Sequence, residues 1–146
     1  MDVSVLSLVA LATWVVTALG GFYLIGTWIA RGGARPGGTS RFPAALPFGH
    51  FLLAAAGLVV WIVYIFADLT ALAWAAFVIL LPVALLGFVM FFRWLPSYRA
   101  RAAAAPAEGE RPAEQSFPVP VVVAHGLLAV VTLVLVLLTA LGVGES

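Results

Sequence analysis

Four long apolar stretches decide what this sequence can fold into. We place them near Val5–Ala30, Ala44–Phe66, Leu72–Leu95 and Val119–Leu141. A helix needs about 20 predominantly apolar residues to cross the hydrocarbon core of a bilayer, and each stretch is long enough. The pattern predicts an all-α, multi-pass integral protein of the cell membrane, with residues 1–146 forming one transmembrane domain of four helices.

The composition agrees with a membrane protein and excludes several classes of function. Hydrophobic residues make up 64% of the chain and charged residues 9%, whereas a soluble domain carries roughly 25% charged residues. There is no cysteine, so disulfides and thiolate metal sites are excluded. Basic residues are too sparse for nucleic-acid binding. No charged residue falls in the middle of a span, which argues against a stand-alone transporter or channel.

The arginines predict how the chain is oriented. All seven basic residues are arginines, and they lie in or beside the connectors 31–41 and 96–116. Basic residues near span ends are retained on the cytoplasmic side. Both connectors are therefore expected inside and both termini outside, with Asp68–Thr70 forming a tight outer turn. The first span follows an acidic start and exceeds the ~7–15-residue apolar core of a signal peptide, so we expect it to remain uncleaved.

Two pairs of similar segments indicate an internal duplication. Residues 42–54 read FPAALPFGHFLLA and residues 117–129 read FPVPVVVAHGLLA. Residues 21–28 read GFYLIGTW and residues 87–94 read GFVMFFRW. The chain is thus predicted to contain two copies of a two-helix hairpin that enter the membrane the same way round. Such parallel repeats are related by a pseudo-twofold axis along the membrane normal and would form a four-helix bundle.

The only two histidines, His50 and His125, occupy the same position of the repeat. Each follows its Phe-Pro pair by seven residues, which is about 10 Å along a helix. Pro43 and Pro118 are expected to mark helix starts. A neutral imidazole at that depth has a donor and an acceptor to satisfy, and unmet groups cost a few kcal/mol. Ionisable residues within a span therefore indicate a functional site.

A b-type haem with its iron between the two histidines is the most specific chemistry that the repeat suggests. In this respect the layout resembles four-helix, bis-histidine b-type membrane cytochromes. Small residues on the same helix faces would admit the flat porphyrin, and nearby arginines would pair with its propionates. The predicted metal ligands are His50 and His125, and the other predicted cofactor-binding residues are Ala54, Gly57, Ala129, Arg93 and Arg41.

The histidines, small residues and aromatic residues also have explanations that involve no haem. A histidine near the membrane boundary can simply bond to a neighbouring helix, and small residues let helices approach closely. A proton or quinone role is a further alternative. Trp61 and Tyr64 could close the outer side of a pocket. An aromatic belt explains Trp28, Trp74, Trp94 and Tyr98, and the connector glutamates Glu108, Glu110 and Glu114 are expected to be solvated.

The segments 81–101 and 117–144 resemble small, Ala/Leu/Val/Arg-rich membrane proteins of high-GC actinobacteria. That resemblance implies no function. Two hypotheses follow from the residues. One is a haem-bearing electron-transfer or redox-accessory subunit. The other is a non-catalytic structural or assembly subunit, packed in a larger membrane complex or a homo-oligomer. Neither predicts stand-alone catalysis.

Overall fold

The predicted all-α bundle is confirmed. A computed structural model describes residues 4–103 and 111–144 of the chain. These contain four α-helices that are long and apolar enough to cross a membrane, and a short 3₁₀ helix before the last of them. The α-helices are α1 (Val5–Ala30), α2 (Ala45–Ala67), α3 (Thr70–Ala103) and α4 (Val119–Ala140), and the 3₁₀ helix spans Ala113–Ser116.

The link between α2 and α3 is the tight turn that the sequence predicts. Asp68 adopts the left-handed conformation, with φ of 51°. Its backbone N–H donates the last helical bond, to the Tyr64 carbonyl at 2.8 Å, and its left-handed conformation ends α2. Aspartate tolerates this conformation better than most residues because its short polar side chain can bond locally. Thr70 already belongs to α3, so the two helices run antiparallel.

Helix α3 extends beyond the span predicted for it. It has 34 residues and continues past Leu95 to Ala103. At 1.5 Å per residue it is about 50 Å long, which exceeds the roughly 30 Å hydrocarbon core. The added turns contain arginine and alanine, which are strong helix formers. The first part of the connector 96–116 is therefore helical, while residues 104–110 lie outside the described range.

The four helices form a ring in chain order. Within the described residues, α2 lies diagonally opposite α4. The most extensive packing joins α2 to α3 and α1 to α4, whereas α3 contacts α4 less and α1 contacts α2 least. We call the closely packed pairs the α2–α3 layer and the α1–α4 layer. Each predicted hairpin is thus divided between the layers, so the two copies interlock rather than stand side by side.

Two aromatic clusters fill the bundle at different levels. The hairpin-end cluster, next to the turn at Asp68, contains Trp14, Trp61 and Tyr64 with small and branched residues of α3 and α4. The connector-end cluster, next to the long connectors, comprises Trp28, Phe42, Trp94, Ala113 and Phe117.

This packing corrects part of the predicted aromatic belt. Trp28 is 0% and Trp94 is 4% exposed. Both indoles belong to the connector-end cluster, so the interpretation of these two residues as belt anchors is wrong. Trp74 and Tyr98 are exposed and remain compatible with a belt. Burial of these two indoles could not be predicted because a position near a span end does not reveal which helix face a side chain occupies.

Burial follows the sequence repeat closely. When Gly21 is aligned with Gly87 and His50 with His125, most buried residues of one copy fall on buried residues of the other. The duplication thus extends to positions where the residue type has changed, because both copies fill the same interior. Pairs of this kind include Trp14 with Leu80, Thr17 with Val83, and Trp61 with Val136.

Glu114 is a buried residue of the connector end, and the prediction that it is solvated is wrong. Its side chain is 0% exposed. Its carboxylate accepts the Ser40 hydroxyl at 2.9 Å and the Arg41 backbone N–H at 2.8 Å. Ser40 in turn accepts the Trp28 indole N–H at 2.9 Å. The 3₁₀ helix is thereby joined to the end of α1 and to the first connector. Glu108 and Glu110 lie outside the described residues.

Candidate functional site

The structure brings the two histidines together on the central axis of the bundle. His50 lies near the start of α2 and His125 near the start of α4, the two helices on opposite corners of the ring. Their ring centres are 6.3 Å apart and the ring planes are inclined by 59°. Both side chains are partly buried, between the hairpin-end and connector-end clusters. The duplicated helices therefore meet through their imidazoles.

Equivalent hydrogen bonds hold the two rings. Nδ1 of His50 lies 2.9 Å from the Val83 carbonyl oxygen on α3. Nδ1 of His125 lies 2.9 Å from the Thr17 carbonyl oxygen on α1. Thr17 and Val83 correspond in the repeat, one turn before Gly21 and Gly87. Each histidine thus bonds to the first helix of the other copy, and each bond lies within one layer.

These bonds determine which nitrogen carries the proton. A carbonyl oxygen only accepts hydrogen bonds, so Nδ1 must be the donor in both rings. In the neutral imidazole, Nε2 then keeps its lone pair. Metal-ligating histidines have this arrangement in most proteins, because the bond from the other nitrogen fixes the tautomer and the orientation of the ring. The site therefore presents two oriented, basic nitrogens.

Glycines of α1 and α3 give the rings their space. A Cβ atom on Gly21 would lie 3.1 Å from Cε1 of His125, and one on Gly20 would lie 3.5 Å from Nδ1. A Cβ on Gly87 would lie 3.4 Å from Cε1 of His50. The imidazoles thus rest on bare backbone in both layers. The sequence repeat includes Gly21 and Gly87, but their role as supports for the rings was not foreseen.

The small residues predicted to flank a porphyrin lie on the hairpin side of the histidines. Gly57 is buried, and a Cβ there would lie 3.1 Å from the Trp14 ring. Ala54 packs against the hairpin-end cluster, and Ala129 is partly buried. Trp61 and Tyr64 pack against each other in the same cluster, with ring centres 4.8 Å apart and the ring planes inclined by 39°.

The predicted propionate partners, Arg41 and Arg93, meet each other at the connector end. Nη1 of Arg93 donates to the Arg41 carbonyl at 2.8 Å. Both side chains are exposed beside an open groove between the segment before α2 and the end of α3. The structure therefore assembles two separate arrangements, a central histidine pair and a peripheral arginine pair.

The described residues contain no group of three or more histidine, cysteine, aspartate or glutamate side chains that could hold a metal ion. A metal at the histidine pair would consequently need most of its ligands from elsewhere. Comparisons with family models, with curated proteins and with solved structures find no match to this chain.

Proposed function

We propose that this protein is a haem b-binding electron-transfer or redox-accessory membrane subunit, with His50 and His125 as the axial ligands. The observation that carries the proposal is the close pair of imidazoles, each fixed through Nδ1 to a carbonyl of the neighbouring helix. The two histidines suffice for haem because the porphyrin supplies the other four ligands to iron. Two imidazoles alone make a poor site for zinc, which takes at least three protein ligands.

The spacing of the rings suits ligation of one metal ion. Imidazole–metal bonds of about 2 Å, plus about 1 Å from each nitrogen to its ring centre, separate the two centres by about 6 Å. The observed separation is 6.3 Å. An ion held between the rings would lie between the α1–α4 and α2–α3 layers, where packing is less extensive than within them.

The chain's own residues would control the properties of such a haem. The Nδ1–H bonds to Val83 and Thr17 would raise the basicity of both ligating nitrogens and restrict ring rotation. The surrounding hydrophobic clusters would exclude water and so tune the reduction potential. A bound haem supplies one-electron chemistry, and the protein would supply orientation and a low-dielectric setting.

The same two hydrogen bonds favour a scaffold as the second candidate. Each bond ties one helix to its neighbour inside a layer, and such bonds contribute about 0.6 kcal/mol on average between membrane helices. In that case the histidines would hold the bundle together without binding a cofactor. The protein would then serve as a structural or assembly subunit of a larger membrane complex.

An absorption spectrum of the purified full-length chain distinguishes the two functions. We expect a sharp α-band in the reduced-minus-oxidised difference spectrum when haem is supplied during expression. His50→Ala and His125→Ala should each abolish it, because one axial nitrogen is lost in either variant.

Asparagine variants provide the matched control. The Asn side-chain amide nitrogen stands near the position of Nδ1, so His50→Asn and His125→Asn can still donate to the Val83 and Thr17 carbonyls, but they lack Nε2. Loss of the band in the Asn variants, with folding retained, supports ligation. A colourless wild-type protein, whose stability falls in the Ala variants and recovers in the Asn variants, would replace the haem proposal with the scaffold.

A further inference from the structure

An open groove at the connector end, away from the histidines, presents two arginines on an apolar wall. It has a volume of about 680 Å³ and lies between the segment that precedes α2 and the last turns of α3. Arg41 and Pro43 line it on one side, and Phe92, Arg93 and Pro96 line it on the other. The groove opens outward at the end of the membrane spans.

The arginine pair is fixed by buried structure behind it. The Arg41 carbonyl accepts Nη1 of Arg93, and the Arg41 N–H donates to the carboxylate of Glu114. The peptide of Arg41 is thus held from both sides. The Arg93 guanidinium uses one N–H in this contact, and a guanidinium has five. Among the described residues, no other hydrogen bond engages the remaining donors of these two exposed side chains.

The charge and polarity of the groove match one class of ligand. Among the described residues that line it, two carry positive charge and none is acidic. Arginine binds phosphate oxygens through two parallel N–H bonds. The Phe92 ring beside it is 65% exposed, and together with Pro43 and Pro96 it provides a surface for hydrocarbon. Basic pockets between membrane helices at the cytoplasmic boundary bind anionic lipid head groups.

We propose that this groove binds an anionic phospholipid, with its phosphodiester on Arg41 and Arg93 and an acyl chain along Phe92. The site differs from the histidine pair and does not depend on the proposed haem. It also assigns the two arginines to lipid rather than to propionates.

Native mass spectrometry of the full-length protein in detergent tests the assignment. The probes are phosphatidylglycerol, zwitterionic phosphatidylcholine and inorganic phosphate. We expect retained phosphatidylglycerol on the wild type, and binding weakened about tenfold or more in R41Q/R93Q, since both positive charges that line the groove are removed. The control R31Q/R35Q removes the same charge from exposed positions of the first connector outside the groove and should bind nearly as the wild type does.

Four outcomes would overturn the proposal. The first is an equal loss of phosphatidylglycerol from R41Q/R93Q and R31Q/R35Q, and the second is retention of phosphatidylcholine as strong as that of phosphatidylglycerol. The third is displacement of the lipid by inorganic phosphate. The fourth is loss of the haem spectrum in R41Q/R93Q. If R41Q/R93Q does not fold, the single variants Arg41→Gln and Arg93→Gln decide. Each removes one positive charge of the groove, so weaker lipid binding with unchanged folding supports the site, and unchanged binding in both contradicts it.

Discussion

Gly21 is the residue whose size most directly limits the histidine site. A Cβ there would stand 3.1 Å from the His125 ring, which is tighter than ordinary van der Waals contact. The ring cannot retreat easily, because its Nδ1 is bonded to Thr17 in the same layer. A larger side chain at this position must therefore displace the imidazole or separate α1 from α4.

Gly21→Val should destabilise the protein by about 1–3 kcal/mol, the usual cost of inserting atoms into a packed interior. Unfolding titrations in sodium dodecyl sulfate measure the change. Gly26→Val is the matched control on the same helix, since a Cβ at Gly26 meets nothing within 4 Å. Equal stability of the two variants would show that the His125 ring does not depend on this glycine.

The residues of the site differ in how far sequence could reveal them. His50 and His125 could be found because imidazoles are rare in apolar segments and these two repeat in register. The glycines and carbonyls that hold them could not, because backbone acceptors leave no trace in residue identity. Small residues such as Gly57 were assigned by helix face alone, and the Trp14 indole on the neighbouring helix lies against that position.

Among the secondary-structure elements, the short 3₁₀ helix Ala113–Ser116 links the segments at the connector end of the bundle. It places the Glu114 carboxylate, wholly buried, on donors from Ser40 and Arg41. It also lies beside the Phe42 and Phe117 rings of the connector-end cluster. The sequence could not predict this, since a glutamate in a polar, Pro/Ala-rich segment is usually solvated.

Glu114→Gln should cost about 1–3 kcal/mol of unfolding free energy, because glutamine has one acceptor oxygen for two buried donors. The same titration in detergent measures it. Asp68→Asn makes the equivalent carboxylate-to-amide change at the exposed turn, where asparagine also tolerates the left-handed conformation, and should be nearly neutral. A Glu114 variant as stable as the Asp68 variant would rule out the buried bonds as a source of stability.

At the scale of the whole molecule, the lengths of the apolar stretches and the duplicated motifs were sufficient to predict the four-helix bundle. Span boundaries were close for α1, α2 and α4, and α3 alone was underestimated, because a polar helix end resembles a connector. The interlocking of the copies was not foreseen. Sequence similarity relates the hairpins to each other, but it does not state which helix packs against which.

The orientation predicted from the arginines can be measured on single-cysteine variants, since the chain has no cysteine of its own. Thr39→Cys lies in the first connector and Leu69→Cys in the turn, both at exposed positions. A membrane-impermeant maleimide should label the Leu69 variant in intact cells and leave the Thr39 variant protected until the cells are opened. The reverse labelling pattern would invert the topology.

The division of each hairpin between two layers has a consequence for biosynthesis. Helix α1 packs mainly against α4, and α4 is synthesised after the other three helices. Therefore α1 gains its main packing partner only once α4 has been inserted. Until then, the Thr17 carbonyl lacks the imidazole of His125, whereas His50 can already bond to Val83 once α3 is inserted. Final folding must therefore follow insertion of all four helices. A nascent protein stalled after the third helix would expose the α4-binding face of α1 to membrane proteases.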